Sequence, residues 1–208
     1  MNGAASQFNL AQPVSMRHRL QRVTLDLHRS VERHLALTGR SWTQISYRAL
    51  LQRLWGIYAP LEQALMDIEW QGSGIAIGER RKLFWLEMDL SCLGRDREFI
   101  SGLEICRDLP SIDSIARGLG TLYVLEGSTL GGQVILRTLR PQIGITPHRG
   151  GRFFASYGKG VGEMWRSYLA SLEHIGRSPD VADTIECAAR DTFAAFDRWL
   201  AGLDQAHG

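Results

Sequence analysis

The chain has 208 residues, of which 44% are hydrophobic and 22% charged, and its formal net charge is only +2. This composition is typical of a globular protein with one substantial core, and no apolar run is long enough to cross a bilayer. The small net charge, in which arginine far outnumbers lysine, argues against nucleic acid as a partner. Three cysteines without a CxxC pair and an N-terminus without a signal-peptide pattern predict a cytoplasmic protein with no disulfide framework and no zinc site.

The N-terminal part of the chain predicts a mobile arm followed by an amphipathic helix. Residues 1–14 are small and polar and predict a flexible arm, whereas residues 15–208 predict one helical domain. Apolar residues then recur at spacings of three and four, which indicates a helix from Met16 to about Leu37, with Ser15 as its cap.

The rest of the chain also reads as helices joined by loops. Ser41 or Thr43 can cap an aromatic second helix that reaches about Ile68, and Pro60 inside it is expected to produce a kink. A short helix passes through Trp85, and a long central helix follows Pro110 and Ser111. After a loop over residues 141–151, helices are predicted at about Val161 to Ile175 and Val181 to Leu203. No segment alternates as a strand, so the fold class is all-α with a single domain.

The central helix carries three glycines within an apolar helical pattern, namely Gly127, Gly131 and Gly132. Each glycine inside a helix costs about 1 kcal/mol relative to alanine. A sequence that keeps them usually needs a close backbone approach. Either another helix packs tightly here, or a flat and bulky ligand lies against bare backbone.

The first helix places Thr24, His28 and Glu32 on one face, because they are spaced by four residues. A metal-ligating histidine usually has its other ring nitrogen held by a carboxylate or carbonyl, and Glu32 can do this one turn after His28. An isolated HxxxE pair is most often an ordinary surface pair. A glycine-containing partner helix favours the ligand interpretation, since a flat macrocycle needs a histidine on one side and bare backbone on the other.

Other chemistries have no motif in this sequence. It contains neither HExxH nor the paired ExxH motifs of di-iron bundles, which argues against a non-haem metal site. It also lacks GxSxG, and no Lys-Ser/Thr follows the glycines as a phosphate loop would require.

Together, the Thr-x-x-x-His-x-x-x-Glu pattern, the aromatic second helix and Gly-Ser-Thr-Leu-Gly-Gly-Gln resemble haem oxygenases over roughly residues 16–200. The form Tyr-Val-Leu-Glu-Gly-Ser-Thr-Leu-Gly-Gly is most similar to the bacterial branch associated with bacteriophytochromes. The resemblance implies a helical bundle that holds haem between a proximal and a kinked distal helix. It implies an oxidoreductase that cleaves haem with O₂ and external electrons to biliverdin, CO and Fe²⁺, so that haem is both substrate and cofactor.

The resemblance also assigns roles to individual residues. It implies that His28 ligates the haem iron and that Glu32, on the same face as Thr24, holds the His28 ring. It also implies that haem and O₂ contact the distal segment, through Gly127, Ser128, Gly131 and Gly132. Tyr123 and Arg166 are implied to lie near a propionate, and Arg17, Arg19 and Arg22 are candidates for a second contact. Phe154 and Tyr157 can wall the pocket, although ordinary core packing is the better interpretation of both.

One departure and two partner predictions follow from the same resemblance. Ser128 stands where animal-type members carry Asp, so proton delivery must be built differently, and Thr129 and Gln133 are candidates. The sequence has no flavin or nicotinamide fingerprint, which implies an external electron donor such as ferredoxin or a reductase. A basic rim that includes some of Arg80, Arg81, Lys82 and Lys159 is the predicted docking surface for an acidic donor. The implied acceptor of biliverdin is a bacteriophytochrome.

Two alternatives remain open at the level of sequence. One is a haem carrier or sensor that uses the same pocket without turnover, which the serine at position 128 keeps in consideration. The other is a helical relative that acts on thiamin-like substrates, in which His28 would not be needed.

Overall fold

The structure, a computed structural model, describes residues 14–35 and 41–205, and within them the chain is almost entirely helical. The predicted arm lies outside these ranges apart from Val14, as do the predicted end of the first helix at Leu37 and the last three residues. In the described ranges the α-helices are α1 (Met16–Leu35), α2 (Gln44–Met66), α3 (Leu83–Cys92), α4 (Arg97–Ser101), α5 (Ile115–Ile143), α6 (Arg152–Ala155), α7 (Val161–Ile175), α8 (Pro179–Leu200) and α9 (Gly202–Gln205). None of these helices is long and apolar enough to span a membrane.

The helix ends follow local capping chemistry. Of the two candidates for the second helix, Thr43 is the N-cap: its hydroxyl accepts from the Ser46 backbone, and the Ser46 hydroxyl accepts from the Thr43 backbone. Ser114 caps α5, which begins at Ile115, five residues after Pro110. Gly144 ends α5 in the left-handed conformation, with φ of 70°, where glycine is the favoured residue.

Two prolines lie inside helices instead of ending them. Pro60 stands within α2, which runs unbroken from Gln44 to Met66, and Pro141 stands in the last turn of α5. The loop predicted from residue 141 therefore begins only at Gly144. Pro141 lacks the N–H that would bond the carbonyl four residues earlier, so it weakens the end of α5 without ending the helix.

The core is built around α5, which packs most extensively against α8, while α8 also packs along α1. Gly120 in α5 allows this approach, since a Cβ there would lie 2.7 Å from the Cβ of Ala188 and 2.8 Å from the Ala189 nitrogen. The helices α6 and α7 also pack against α5, and α3 packs against both α2 and α6. The helical bundle thus confirms the predicted all-α, single-domain fold. The helix α5 continues through its glycines without a break, and the kink stays a prediction.

Candidate functional site

A cavity of about 390 Å³ lies between α1 and α5, and α2, α6 and α8 close it from the inside. Its inner wall is mostly aromatic and aliphatic, from Leu54, Tyr58, Phe153, Phe154, Phe193, Phe196 and Leu200. Such a cavity, with a few polar groups along its sides, is typical of a site for a largely apolar ligand.

The predicted face of α1 forms one side of the cavity. Thr24, His28 and Glu32 all line it. The side chain of His28 is 53% exposed, and its Nδ1 lies 3.5 Å from Oε2 of Glu32. The Nε2 atom is therefore the ring nitrogen left to bind a metal. The ring of Phe193 meets the His28 ring edge-on, with 5.6 Å between centroids, and limits its rotation from the α8 side.

The opposite side is the glycine segment of α5, and its glycines divide into two kinds. Gly127 and Gly131 line the cavity, and a Cβ built on either would meet nothing within 4 Å. Gly132 does not line it. A Cβ there would collide with the carbonyl oxygen of Phe154 in α6, 3.0 Å from the carbonyl carbon. The expected approach of Gly132 to a ligand is thus corrected: its missing side chain makes room for α6.

Ser128 faces the same cavity and has two partners. Its Oγ donates to the carbonyl of Leu125 at 2.9 Å, and it lies 3.0 Å from the hydroxyl of Tyr58. Since the serine proton is used on Leu125, the Tyr58 hydroxyl donates to Ser128. Burial raises the pKa of Tyr58, so this phenol stays protonated at neutral pH. Thr129 also lines the cavity, but its hydroxyl donates to the carbonyl of Glu126 at 2.7 Å.

One end of the cavity is polar and open. Arg17, Gln21, Thr24, Tyr123 and Trp165 line it. Burial raises the pKa of Tyr123, and a hydrogen bond to Thr24 opposes this effect. Arg17 is exposed, and its positive charge also opposes the rise in the pKa of Tyr123.

The other predicted basic residues lie at different places. Arg166 is exposed on α7, directly after Trp165, but does not itself line the cavity. Arg19 is bound by Glu186 and by Asp183, the latter at 2.8 Å, which turns it toward α8.

Two residues of the predicted basic rim are buried, which corrects that prediction. The side chains of Arg80 and Lys82 are 3% and 1% exposed, and both pair with Glu126. Lys82 even lines the cavity. Buried cations cannot meet a docking partner, so Arg81 and Lys159 alone of the four remain exposed.

The residues suggested for the pocket wall also divide. Phe153 and Phe154 line the cavity, whereas the Tyr157 hydroxyl donates to Glu126 at 2.8 Å behind it. Within residues 14–35 and 41–205, no group of three or more His, Cys, Asp and Glu side chains is placed to hold a metal ion. His28 is the histidine among the residues that line the cavity.

Comparison with known proteins assigns the family. The family model described as "Heme oxygenase" matches residues 14–202. A curated heme oxygenase of Xanthomonas campestris pv. campestris is 32% identical over 158 residues, which cover 75% of this chain and 89% of that protein. The chain belongs to the haem oxygenase family.

Solved structures agree with this family at the level of the fold. The NO- and CO-bound heme oxygenase of Neisseria meningitidis superposes with a TM-score of 0.74 at 19% identity, covering 92% of each chain. Heme oxygenase-1 of the cyanobacterium Synechocystis, in complex with heme, gives 0.70 at 17% identity over 93% of this chain and 96% of that one.

Sequence reasoning missed two cavity residues of this haem oxygenase, Tyr58 and Lys82, as parts of the site. Tyr58 was hidden among the apolar aromatic residues of α2. For Lys82 a signal was present: Glu62 and Glu126 stand inside the apolar stripes of α2 and α5, and a buried carboxylate needs a buried cation.

Proposed function

We propose that this haem oxygenase binds haem between α1 and the glycine segment of α5 and converts it to biliverdin, CO and Fe²⁺ with O₂ and external electrons. The observation that carries the proposal is the facing pair of walls. His28 with a carboxylate on its Nδ1 lies on one side, and two glycines with open space over their Cα atoms lie on the other. This donor set fits a flat macrocycle with one axial histidine.

Each residue of the cavity then has a task that follows from its contacts. Glu32 holds His28 in one orientation and keeps Nε2 free for the iron. Gly127 and Gly131 let the ligand approach the backbone of α5, and the apolar inner wall excludes water from its buried edge. Haem supplies the redox-active iron and is itself the ring that is oxidised.

The Tyr58 and Ser128 pair is the proposed substitute for a distal carboxylate. The Tyr58 hydroxyl donates a hydrogen bond to Ser128 Oγ, and the Ser128 hydroxyl in turn donates one to the Leu125 carbonyl. Ser128 Oγ keeps one lone pair, which can accept a hydrogen bond from a water and hold it beside the glycine segment without a charged group in the wall.

The polar end is the proposed site of the two propionates. Arg17 lines it beside Tyr123, and Arg166 follows Trp165 at the same end. A guanidinium binds a carboxylate through two parallel hydrogen bonds.

We further propose ferredoxin or a separate reductase as the electron donor, and a bacteriophytochrome as the acceptor of biliverdin. Support comes from the sequence, which lacks a flavin or nicotinamide motif and has the segment Tyr123 to Gly132 with Ser128 after the first glycine.

The deciding experiment is an anaerobic haem titration, followed by O₂ and a reductant, with chromatography of the product. We expect a 1:1 complex whose Soret band decays as biliverdin appears. A stable oxy or ferric spectrum would instead assign a haem carrier or sensor. Failure to bind haem would remove the proposal altogether, and the His28→Ala variant should then behave as the wild type does with a thiamin-like substrate.

A further inference from the structure

Behind the glycine segment lies a buried cluster of charges that the proposed function does not use. Glu126, directly before Gly127, is 1% exposed and binds three groups at once. Its Oε1 accepts from Lys82 Nζ at 2.6 Å and from the Tyr157 hydroxyl at 2.8 Å, and its Oε2 accepts from Arg80 at 2.9 Å.

The cluster joins segments that are distant in sequence. Arg80 also donates to the carbonyl of Met164 at 3.2 Å and to Ser167 at 3.3 Å, which ties α7 to the segment before α3. Glu62 of α2 accepts from the backbone nitrogens of Lys82 and Leu83, at 2.5 and 3.1 Å.

The cluster contains four buried charges whose sum is zero. Arg80 and Lys82 are the cations, Glu62 and Glu126 the anions, and all four are at most 4% exposed. Arg81, half-exposed, lies outside this set with its Nε 3.7 Å from Glu62. Losing one member leaves an uncompensated charge in the interior, which is far more costly than losing a balanced pair.

Two polar atoms of the cluster, Glu62 Oε2 and Arg80 Nε, have no hydrogen-bond partner among the described residues, although Arg81 forms an ion pair with Glu62 Oε2. The small cavity of about 10 Å³ beside these residues presents only apolar surface, which does not suit a water. The buried charges therefore depend on one another for compensation.

We propose that Glu126 is a positioning residue for the cavity wall, as the shared anion that holds Lys82 and the Gly127–Ser128 segment in place. Because Lys82 lines the cavity, the cluster also sets the electrostatic potential there. This second consequence rests on the proposed binding of haem, whereas the first does not.

The first test uses the protein without haem and measures urea unfolding. Glu126→Gln leaves two buried cations against one anion and should raise the unfolding equilibrium constant by a factor of about 100 to 1,000. Adding Lys82→Met restores the balance and should recover at least about tenfold of this loss. The matched control adds Arg81→Met, an exposed neighbouring cation, which should recover nothing. If Lys82→Met and Arg81→Met have equal effects in the Glu126→Gln variant, or if the losses of Glu126→Gln and Lys82→Met add, the proposed charge cluster is wrong.

The second test measures azide binding to the ferric haem complex. Glu126→Gln leaves excess positive charge and should tighten azide by a factor of about 3 to 10, while Lys82→Met should weaken it similarly. If Glu126 and Lys82 act through packing alone, the azide affinity of both variants should change in the same direction or not at all. Either result would contradict the proposed effect of the cluster on the electrostatic potential of the cavity. If the wild type binds no haem, the proposed function fails, yet the unfolding cycle still decides the cluster.

Discussion

Gly131 and Gly132 are consecutive residues of α5 with opposite surroundings. A Cβ on Gly131 would project into open cavity, whereas one on Gly132 would collide with the carbonyl oxygen of Phe154. Tight packing therefore explains Gly132, whereas Gly131 leaves space in which a flat ligand could approach the backbone. This neighbouring pair allows the two explanations to be separated by experiment.

Alanine at these two positions should have opposite effects on stability. Gly131→Ala gains helix propensity without a clash, so the free energy of unfolding without haem should rise by about 0.5–1 kcal/mol. Gly132→Ala should lower it by about 1–3 kcal/mol, because α6 must move. Haem titration should show weakened binding for Gly131→Ala, whose new methyl group occupies the cavity. Equal destabilisation by both substitutions would contradict the assignment of Gly131 to the cavity and of Gly132 to the contact with α6.

Replacement of His28 should change the haem complex and leave the fold intact. The side chain is half-exposed and its ion-pair partner Glu32 is equally exposed, so the free energy of unfolding of His28→Ala should change by less than about 0.5 kcal/mol. The visible spectrum should lose the histidine-ligated form and regain it when imidazole is added. His174→Ala, at an exposed position of α7, is the control. A spectrum like that of the wild type would rule out His28 as the ligand.

The Tyr58 hydroxyl should matter for turnover more than for stability. Tyr58→Phe keeps the edge-on ring contacts with Phe153 and Phe196 and loses one hydrogen bond, at a cost of about 0.5–1.5 kcal/mol. Biliverdin formation should slow by about tenfold or more.

A double-mutant cycle with Ser128→Ala should show that the two effects are not additive. Tyr47→Phe, which loses a buried hydrogen bond to the Gly150 carbonyl away from the cavity, should leave the rate unchanged. If Tyr47→Phe slows biliverdin formation as much as Tyr58→Phe does, the effect comes from packing and not from the hydrogen bond to Ser128.

The polar end of the cavity should control haem affinity through charge. Arg17→Gln and Arg166→Gln should each raise the Kd for haem by about 3- to 10-fold, with a smaller effect at high salt. Arg22→Gln, exposed on α1 and away from the cavity lining, is the matched control. If haem dimethyl ester loses affinity in the variants as haem does, the arginines do not bind propionates.

Asp89 should make stability depend on pH. Its two carboxylate oxygens accept hydrogen bonds from the backbone nitrogens of Arg152 and Phe153, each at 2.8 Å. These bonds hold the start of α6 in place next to Gly132. Burial raises the pKa of Asp89 to about 6 from an ordinary value of 3.8. The folded state thus binds the Asp89 proton more tightly than the unfolded chain does. The stabilisation of the folded state by this proton is complete below about pH 3.8 and is lost as the pH rises through 6.

Asp89→Asn should therefore flatten the free energy of unfolding between about pH 4 and 6, removing a slope worth up to about 3 kcal/mol. Asp67→Asn, at an exposed position, should keep the slope of the wild type. Parallel curves for the wild type and Asp89→Asn would contradict the prediction.

The amino-acid sequence by itself determined the helices and the two walls of the site. Helical periodicity is a local property, so α7 was predicted with the bounds Val161–Ile175 that the structure has. The same periodicity put His28 one turn before Glu32 and marked the glycines as unusual. Both facts depend only on residues within a few turns of each other.

Only the tertiary structure decided which side chains those walls use. Whether Gly131 or Gly132 meets a ligand depends on where α6 passes, and whether Lys82 is a surface charge or part of the wall depends on Glu126, 44 residues later. Burial and charge pairing are set by segments far apart in the chain, and helical spacing carries no information about them. The serine that stands where a carboxylate was expected has Tyr58, 70 residues earlier in the chain, as its partner.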